Sequence, residues 1–299
     1  MALRQINTDL AIPDLQEFDS CRWSSIDCEL VTPIHGGGTD ARSSDTAMPI
    51  RATAIRGQLR TFWRMLYAGT YTGKTLRQKE FALWGGMNDD GENGKAGLVL
   101  LKVKADAKKF QEVEWKNYAH NINDPLGYAL FTAKKTQTGL PDMKLGKEGF
   151  KWSLYWCFDN KISEAQKAEV IETLRWWATL GAIGGRSSRG CGAFKVIHAP
   201  FPYPITLQEM QQKNCHILYM GENKTNAMHS WINAVDTWKK MRKTNKEHLS
   251  KLIDSSDTGT RHLSSVVSRP VFNGSSWQAM IVMLPDSSQE IQTILKEQS

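Results

Sequence analysis

Between residues 49 and 68 the apolar residues Ile55, Leu59, Phe62 and Leu66 recur at intervals of four, three and four, the spacing of one helical face. Arg56, Arg60 and Arg64 fall at i, i+4 and i+8 and line up as a second stripe on the same cylinder. Gly57 lies in the first turn, where it lowers intrinsic helix stability by about 1 kcal/mol relative to alanine. A glycine kept at such a place points to a close approach by another backbone. Upstream, Ile26, Cys28 and Leu30 alternate in a strand pattern that runs into the backbone-exposing turn His35, Gly36, Gly37 and Gly38.

Downstream, a second helix is expected over residues 75–84, with strands at 98–103, 126–133 and 150–158. Ser163 is a serviceable N-cap for a helix whose apolar face carries Val170, Ile171, Leu174, Trp177, Ala178 and Gly181. A glycine-rich loop follows, then a closing strand at 194–198. Strand, helix, strand, strand, helix, loop, strand is the split βαβ order of an antiparallel sheet with helices on one face.

Pro200, Pro202 and Pro204 mark a junction. Beyond them come a strand at 215–220 and a helix at 226–244 bearing Trp231, Ala234, Val235, Trp238 and Met241. Two strands at 263–272 and 277–284 are joined by a hairpin signal, and a last helix is expected at 287–296. The expected class is α+β, with two ferredoxin-like (RRM-like, βαββαβ) domains. The first spans residues 1–199; the second, 200–299, is smaller and degenerate.

Composition narrows the function. Hydrophobic content of 40% and charged content of 23% are globular values. No apolar run is long enough for a membrane span, and the N-terminus lacks an apolar signal core. Five scattered cysteines form no CxxC pair, so neither a disulfide framework nor a zinc site of familiar spacing is expected, and the chain reads as cytosolic. The net charge of +7 favours anionic partners such as nucleic acid. Asp89, Asp90 and Glu92 sit in a loop whose ligand spacing is wrong for an EF-hand, and no metal or cofactor is expected.

The segment 181–192 carries glycines at 181, 184, 185, 190 and 192, with Arg186 and Arg189 among them. Glycines allow positive φ and close backbone approach. Exposed N–H groups at a helix–loop junction make anion-binding concavities, and arginine adds bidentate phosphate contact. The segment is neither a P-loop nor a dinucleotide fingerprint, since it follows a helix and lacks both patterns. It is read as an RNA-backbone cradle.

The motifs TPIHGGG, IRGQLRTFWR, KEFALWGG and GAIGGRSSRGCG, in this order, resemble the RAMP superfamily of CRISPR effector proteins. Within it the pattern is most like the first-subunit family of the type III-B Cmr module, and the agreement covers most of residues 27–195. The resemblance implies a non-catalytic RNA-binding subunit in antiviral defence. Such a subunit caps the 3′ end of the CRISPR RNA, helps capture single-stranded target RNA and docks on neighbouring RAMP subunits. Carried onto this chain, the RNA-facing candidates are His35, Gly36, Gly37, Gly38, Arg56, Gly57, Arg60, Arg64, Gly184, Gly185, Arg186, Arg189, Gly190 and Gly192.

Two rival readings stay open at this point. A RAMP endoribonuclease would use His35 as general base or Asp40 and Asp45 as the loop acids. A protein-binding scaffold would pair its arginines with acidic partner surfaces instead of RNA.

Overall fold

The computed structural model describes residues 22–36, 42–87, 94–135, 139, 141–244 and 266–285. Strand β1 (Ser24–Leu30) leads to helices α1 (Ala52–Tyr67) and α2 (Gly73–Trp84), a short hairpin of β2 (Gly85–Met87) and β3 (Gly94–Ala96), and then β4 (Val99–Ala105). An insertion follows, with β5 (Glu112–Glu114), α3 (Pro125–Leu130) and β6 (Lys144–Gly146). The first half closes with β7 (Lys151–Phe158), α4 (Glu164–Leu180) and β8 (Phe194–His198). The second half holds α5 (Leu207–Gln212), β9 (His216–Met220), α6 (Ala227–Thr244), β10 (Val266–Phe272) and β11 (Trp277–Met283).

Mixed α/β architecture with antiparallel sheets results. The first sheet has the order β4-β7-β1-β8 and the second β10-β11-β9, every neighbouring pair antiparallel. The alternation read in β1 decides which face is covered. Ile26, Cys28 and Leu30 are buried beneath the helices, while Ser25, Asp27 and Glu29 on the other face stay half-exposed. Helix α4 starts at the expected cap: Ser163 Oγ accepts from Gln166 N at 3.2 Å and the Gln166 side chain accepts from Ser163 N at 3.0 Å. On α1, Ile55, Leu59, Phe62, Trp63, Met65 and Leu66 are buried, each large apolar side chain contributing about 2 kcal/mol.

One buried cluster runs from Ile26, Trp152 and Leu174 to Ile205, Met210, Val271 and Val282, so the core is continuous across residue 200. A second joins α3, α6 and Cys191 through Leu126, Leu130, Trp231 and Val235. The cysteines Cys28, Cys157, Cys191 and Cys215 are buried. Among the described residues no helix is long and apolar enough to cross a membrane.

One expected element is of the wrong type. Residues 126–133, read as a strand, form α3 and a following 3₁₀ turn. Leu126, Ala129, Leu130 and Ala133 are the buried positions, at the i, i+3, i+4, i+7 spacing of a helical face. The start is fixed by Asp124, whose carboxylate accepts from His120 N at 2.7 Å and Asn121 N at 3.1 Å, and by Pro125 at the first helical position. The segment before the strand expected at 150–158 also contains a short strand, Lys144–Gly146, paired with Glu112–Glu114. The N-terminal arm, Cys21, the loop 88–93 and the helix expected at 287–296 lie outside the described residues.

Candidate nucleic-acid interface

The glycine loop is a tight hairpin. Ala182 and Ala193 bridge, Ile183 N donates to Gly192 O at 2.8 Å, and Gly192 N donates to Pro33 O at 2.8 Å. Positive φ occurs at Gly184, Arg186, Gly190 and Gly192. A Cβ at Gly192 would lie 1.8 Å from Ile183 O, and one at Gly190 only 2.7 Å from Trp231 Nε1 and 2.8 Å from Ser268 O. These glycines therefore answer contacts inside the fold. The expectation that Gly190 and Gly192 face a ligand is corrected: both are buried.

Both loop arginines also turn inward. Arg186 donates to Ala129 O and Tyr128 O, each at 2.9 Å, and its guanidinium lies 4.6 Å from the centre of the Phe131 ring. These carbonyls end α3, where the helix dipole is negative, and burial pulls the Arg186 guanidinium below its ordinary value. Arg189 is only 6% exposed and sits 5.8 Å from the Tyr128 ring and 5.6 Å from the Trp238 ring. Neither is placed as the phosphate clamp that the sequence suggests. The loop surface is left to Gly184 and Gly185, with Ser187 and Ser188 half-exposed.

Two residues of the second half, together with Thr32 just after β1, hold the loop from behind. Trp231 Nε1 donates to Arg189 O at 2.7 Å. Arg269, 1% exposed, donates to Gly181 O where α4 ends, and burial pushes its guanidinium down to about 10. Thr32 Oγ1 donates to Gly190 O at 2.6 Å and accepts from Ala193 N at 2.8 Å. The sequence reading missed all three; a lone charge inside the otherwise apolar run around Arg269 was the available signal.

His35 meets the loop directly. It forms a bridge with Gly185, whose N–H donates to His35 O, and a Cβ at Gly184 would lie 2.7 Å from that oxygen. The ring Nε2 is 2.8 Å from Thr132 Oγ1. Burial first, then the charge of Arg186, lowers the His35 pKa to about 4, so the ring is neutral at physiological pH. The unfolded chain takes up this proton near pH 6.5. Stability contributed by His35 is therefore present above that pH and lost as pH falls from 6.5 towards 4. Urea midpoints followed over that window should fall further for the native chain than for His35→Gln; parallel curves would contradict the assignment.

The arginine stripe of α1 is divided. Arg56 Nη1 donates to Trp84 O at 3.0 Å, at the end of α2. Arg60 Nε lies 2.6 Å from Glu80 Oε1, a carboxylate buried to 4% side-chain exposure, and Arg64 Nη1 is 3.6 Å from the other oxygen. Arg56 and Arg60 thus join α1 to α2, which corrects the expectation that they face outward. Arg64 remains 46% exposed. Gly57 is exposed, and a Cβ there would meet nothing within 4 Å.

The outer side of α1 and the glycine loop do converge. Gln58 Oε1 accepts from Trp177 Nε1 at 2.8 Å and from Ala182 N at 3.4 Å, tying α1 to the loop's first residues. A pocket of about 120 Å³ lies between Arg51 and Ala54 on one side and Gly36 and Gly184 on the other. A second, of about 140 Å³, lies between Gln58 and Thr61 and the loop residues Ser187 and Ser188. Residues 51, 54, 58 and 61 follow one helical row, so the two pockets belong to one seam. Asp45 borders the first pocket; its carboxylate pairs with Arg51 and accepts from Met48 N at 2.8 Å. Gly37, Gly38 and Asp40 lie outside the described residues.

A family model described as the RAMP superfamily matches residues 27–195, more than half of the 299-residue chain. No curated protein matches. Among solved structures, Cmr1 from Pyrococcus furiosus in its apo form is similar at 15% identity and TM-score 0.60, covering 89% of this chain and 88% of that one. A chain of the type III-B Cmr-β complex bound to cognate target RNA is similar at 11% identity and TM-score 0.58, covering 93% and 99%. At such identities the structural likeness speaks for the fold. The matched segment contains the second half of β1, all of α1 and the whole glycine hairpin, and with it this chain belongs to the RAMP superfamily.

Proposed function

We propose that this chain is a non-catalytic RNA-binding subunit of a type III-B (Cmr) CRISPR effector, capping the 3′ end of the CRISPR RNA and helping to capture target RNA beside neighbouring RAMP subunits. Both sheets are read as ferredoxin-like units. The first sheet supplies the split βαβ order, and the second supplies its first three strands, β9, β10 and β11, in the same relative places. The unit boundary is kept at residue 200, although the core is shared.

One observation carries the reading: two stretches far apart in sequence form the two walls of one seam, with backbone rather than bulk at its surface. The RNA strand runs over Gly57 and past Arg64, between the α1 row and Gly184–Gly185, with Gly36 and His35 at one end. The main chain at these glycines lets a sugar-phosphate backbone come close. Such a grip reads shape and charge, and base pairing to the guide supplies sequence information. Family membership and the fold shared with the chain of the target-RNA-bound Cmr-β complex support this reading.

Two of the three candidate groups, His35 and Asp45, support the non-catalytic part. His35 is a weak base with Nε2 facing Thr132 Oγ1, whereas a general base works best with a pKa near the operating pH. Asp45 is committed to Arg51 and to the Ala47 and Met48 amides.

Gly57→Glu tests the seam. The open space at Gly57 accommodates the added Cβ, and the thermal midpoint reports any effect of the new carboxylate on Arg60 one turn away. Affinity for single-stranded RNA, followed by fluorescence anisotropy, should fall about tenfold or more through like-charge repulsion. Unchanged affinity with an unchanged thermal midpoint removes RNA from the seam.

A further inference from the structure

We infer that the open face of the first sheet, opposite the helices, is a second nucleic-acid contact: a stacking platform for a short single-stranded segment. Every strand of this sheet is two-sided. Ile26 and Leu154 on the helix side are fully buried, whereas Ser25, Asp27, Ser153 and Tyr155 on the other are half-exposed. Among the described residues only Cys157 is fully covered there.

The register places the chemistry of that face. Lys102 stands opposite Tyr155, which in turn stands opposite Ser25, and Lys104 stands opposite Ser153. Lys151 lies across from Glu29, whose carboxylate is 3.5 Å from Lys195. Asp27 accepts from Ser153 Oγ at 2.6 Å. Among the described residues no ion pair engages Lys102, Lys104 or Lys151. Tyr155, at the centre of the sheet, therefore has Lys102 and Lys104 on one side, neither held in an ion pair among the described residues, and Ser25 and Asp27 on the other. Trp23, 38% exposed, precedes β1 and continues its outward row.

Extending the β1–β7 register by one residue sets Trp23 opposite Cys157, diagonal to Tyr155 at about 7 Å. Two splayed bases can bridge that separation, each stacking on one ring. Bases stack on aromatic rings without sequence preference, and lysines follow the backbone electrostatically. At the foot of the face, Lys151 joins Lys109 and Lys147 around a cavity of about 320 Å³ that Asp106 and Glu148 also line, with Lys109 Nζ 3.8 Å from Asp106. The row from Trp23 to Lys151 spans roughly 20 Å of strand, room for a site on the order of four nucleotides. An acidic protein would satisfy the lysines but gives no role to the exposed rings, so nucleic acid is the occupant favoured.

The experiment is fluorescence anisotropy of the full chain with a labelled oligouridine, with thermal midpoints as the control for folding. Tyr155→Ala should weaken binding about tenfold, Tyr155→Phe should retain it, and the double change Lys102→Glu, Lys104→Glu should flatten the salt dependence by about two phosphates. Native-like affinity and salt slope in these variants overturn the platform, as does equal loss in Tyr155→Phe. Gly57→Glu, run alongside, separates the two surfaces. Loss in Gly57→Glu alone leaves the seam standing and removes the platform; loss in Tyr155→Ala alone does the reverse. Variants that keep RNA affinity and instead lose association with a second subunit assign the face to protein and overturn the proposal.

Discussion

Gly192→Ala is expected to destabilise the protein by about 4 kcal/mol or more, or to prevent folding. The φ of +68° at this position is a left-handed conformation that alanine adopts at a penalty of about 1 kcal/mol. The larger effect is steric: the added Cβ would sit 1.8 Å from Ile183 O. Relief requires the hairpin to open, and opening breaks the Ile183–Gly192 and Gly192–Pro33 hydrogen bonds. Gly57→Ala is the informative control. It lies at an exposed position of α1 with open space where a Cβ would sit and should gain about 1 kcal/mol from helix propensity. Urea denaturation of both variants separates a glycine required by the fold from one the fold leaves open. Equal, small effects at the two positions would refute the assignment.

Arg60→Ala should cost about 3 kcal/mol, near the low end for breaking a buried pair. Its partner Glu80 is buried, and the remaining cation, Arg64, is 3.6 Å away, too far to replace a contact of 2.6 Å. The charge left without its close partner is responsible for most of the loss. Combining Arg60→Ala with Glu80→Met should recover most of the stability, because an apolar side chain of similar volume needs no cation. A double variant as unstable as the single one would place the effect elsewhere, for instance in the contact of Arg60 with the Phe81 ring at 5.6 Å. Any loss of RNA binding in Arg60→Ala is thus read only after its folded fraction is known.

Long, regular patterns were legible from the chain itself. The alternation in β1 and the helical face of α1 were fixed by periodicity, since burial on one side requires apolar residues at the matching spacing. The capping box of α4 was legible at Ser163 for the same local reason. Residues 126–133 show the limit. Their composition suits a strand, but their buried positions follow a helical spacing, and the Asn-Asp-Pro start was the overlooked signal.

The candidate site divides in the same way. That the segment around Gly184 and Gly185 makes a tight turn could be read from its glycines. Which arginines reach solvent could not. A guanidinium's partner depends on what packs beside it: Glu80 arrives from another helix, the Ala129 and Tyr128 carbonyls from an insertion, and the Trp238 ring from the second half. Local spacing therefore determined the elements, their faces and the presence of a glycine hairpin. Tertiary structure decided which glycines serve the fold and which remain open, because that choice is made by backbone and side chains brought close only when distant segments pack.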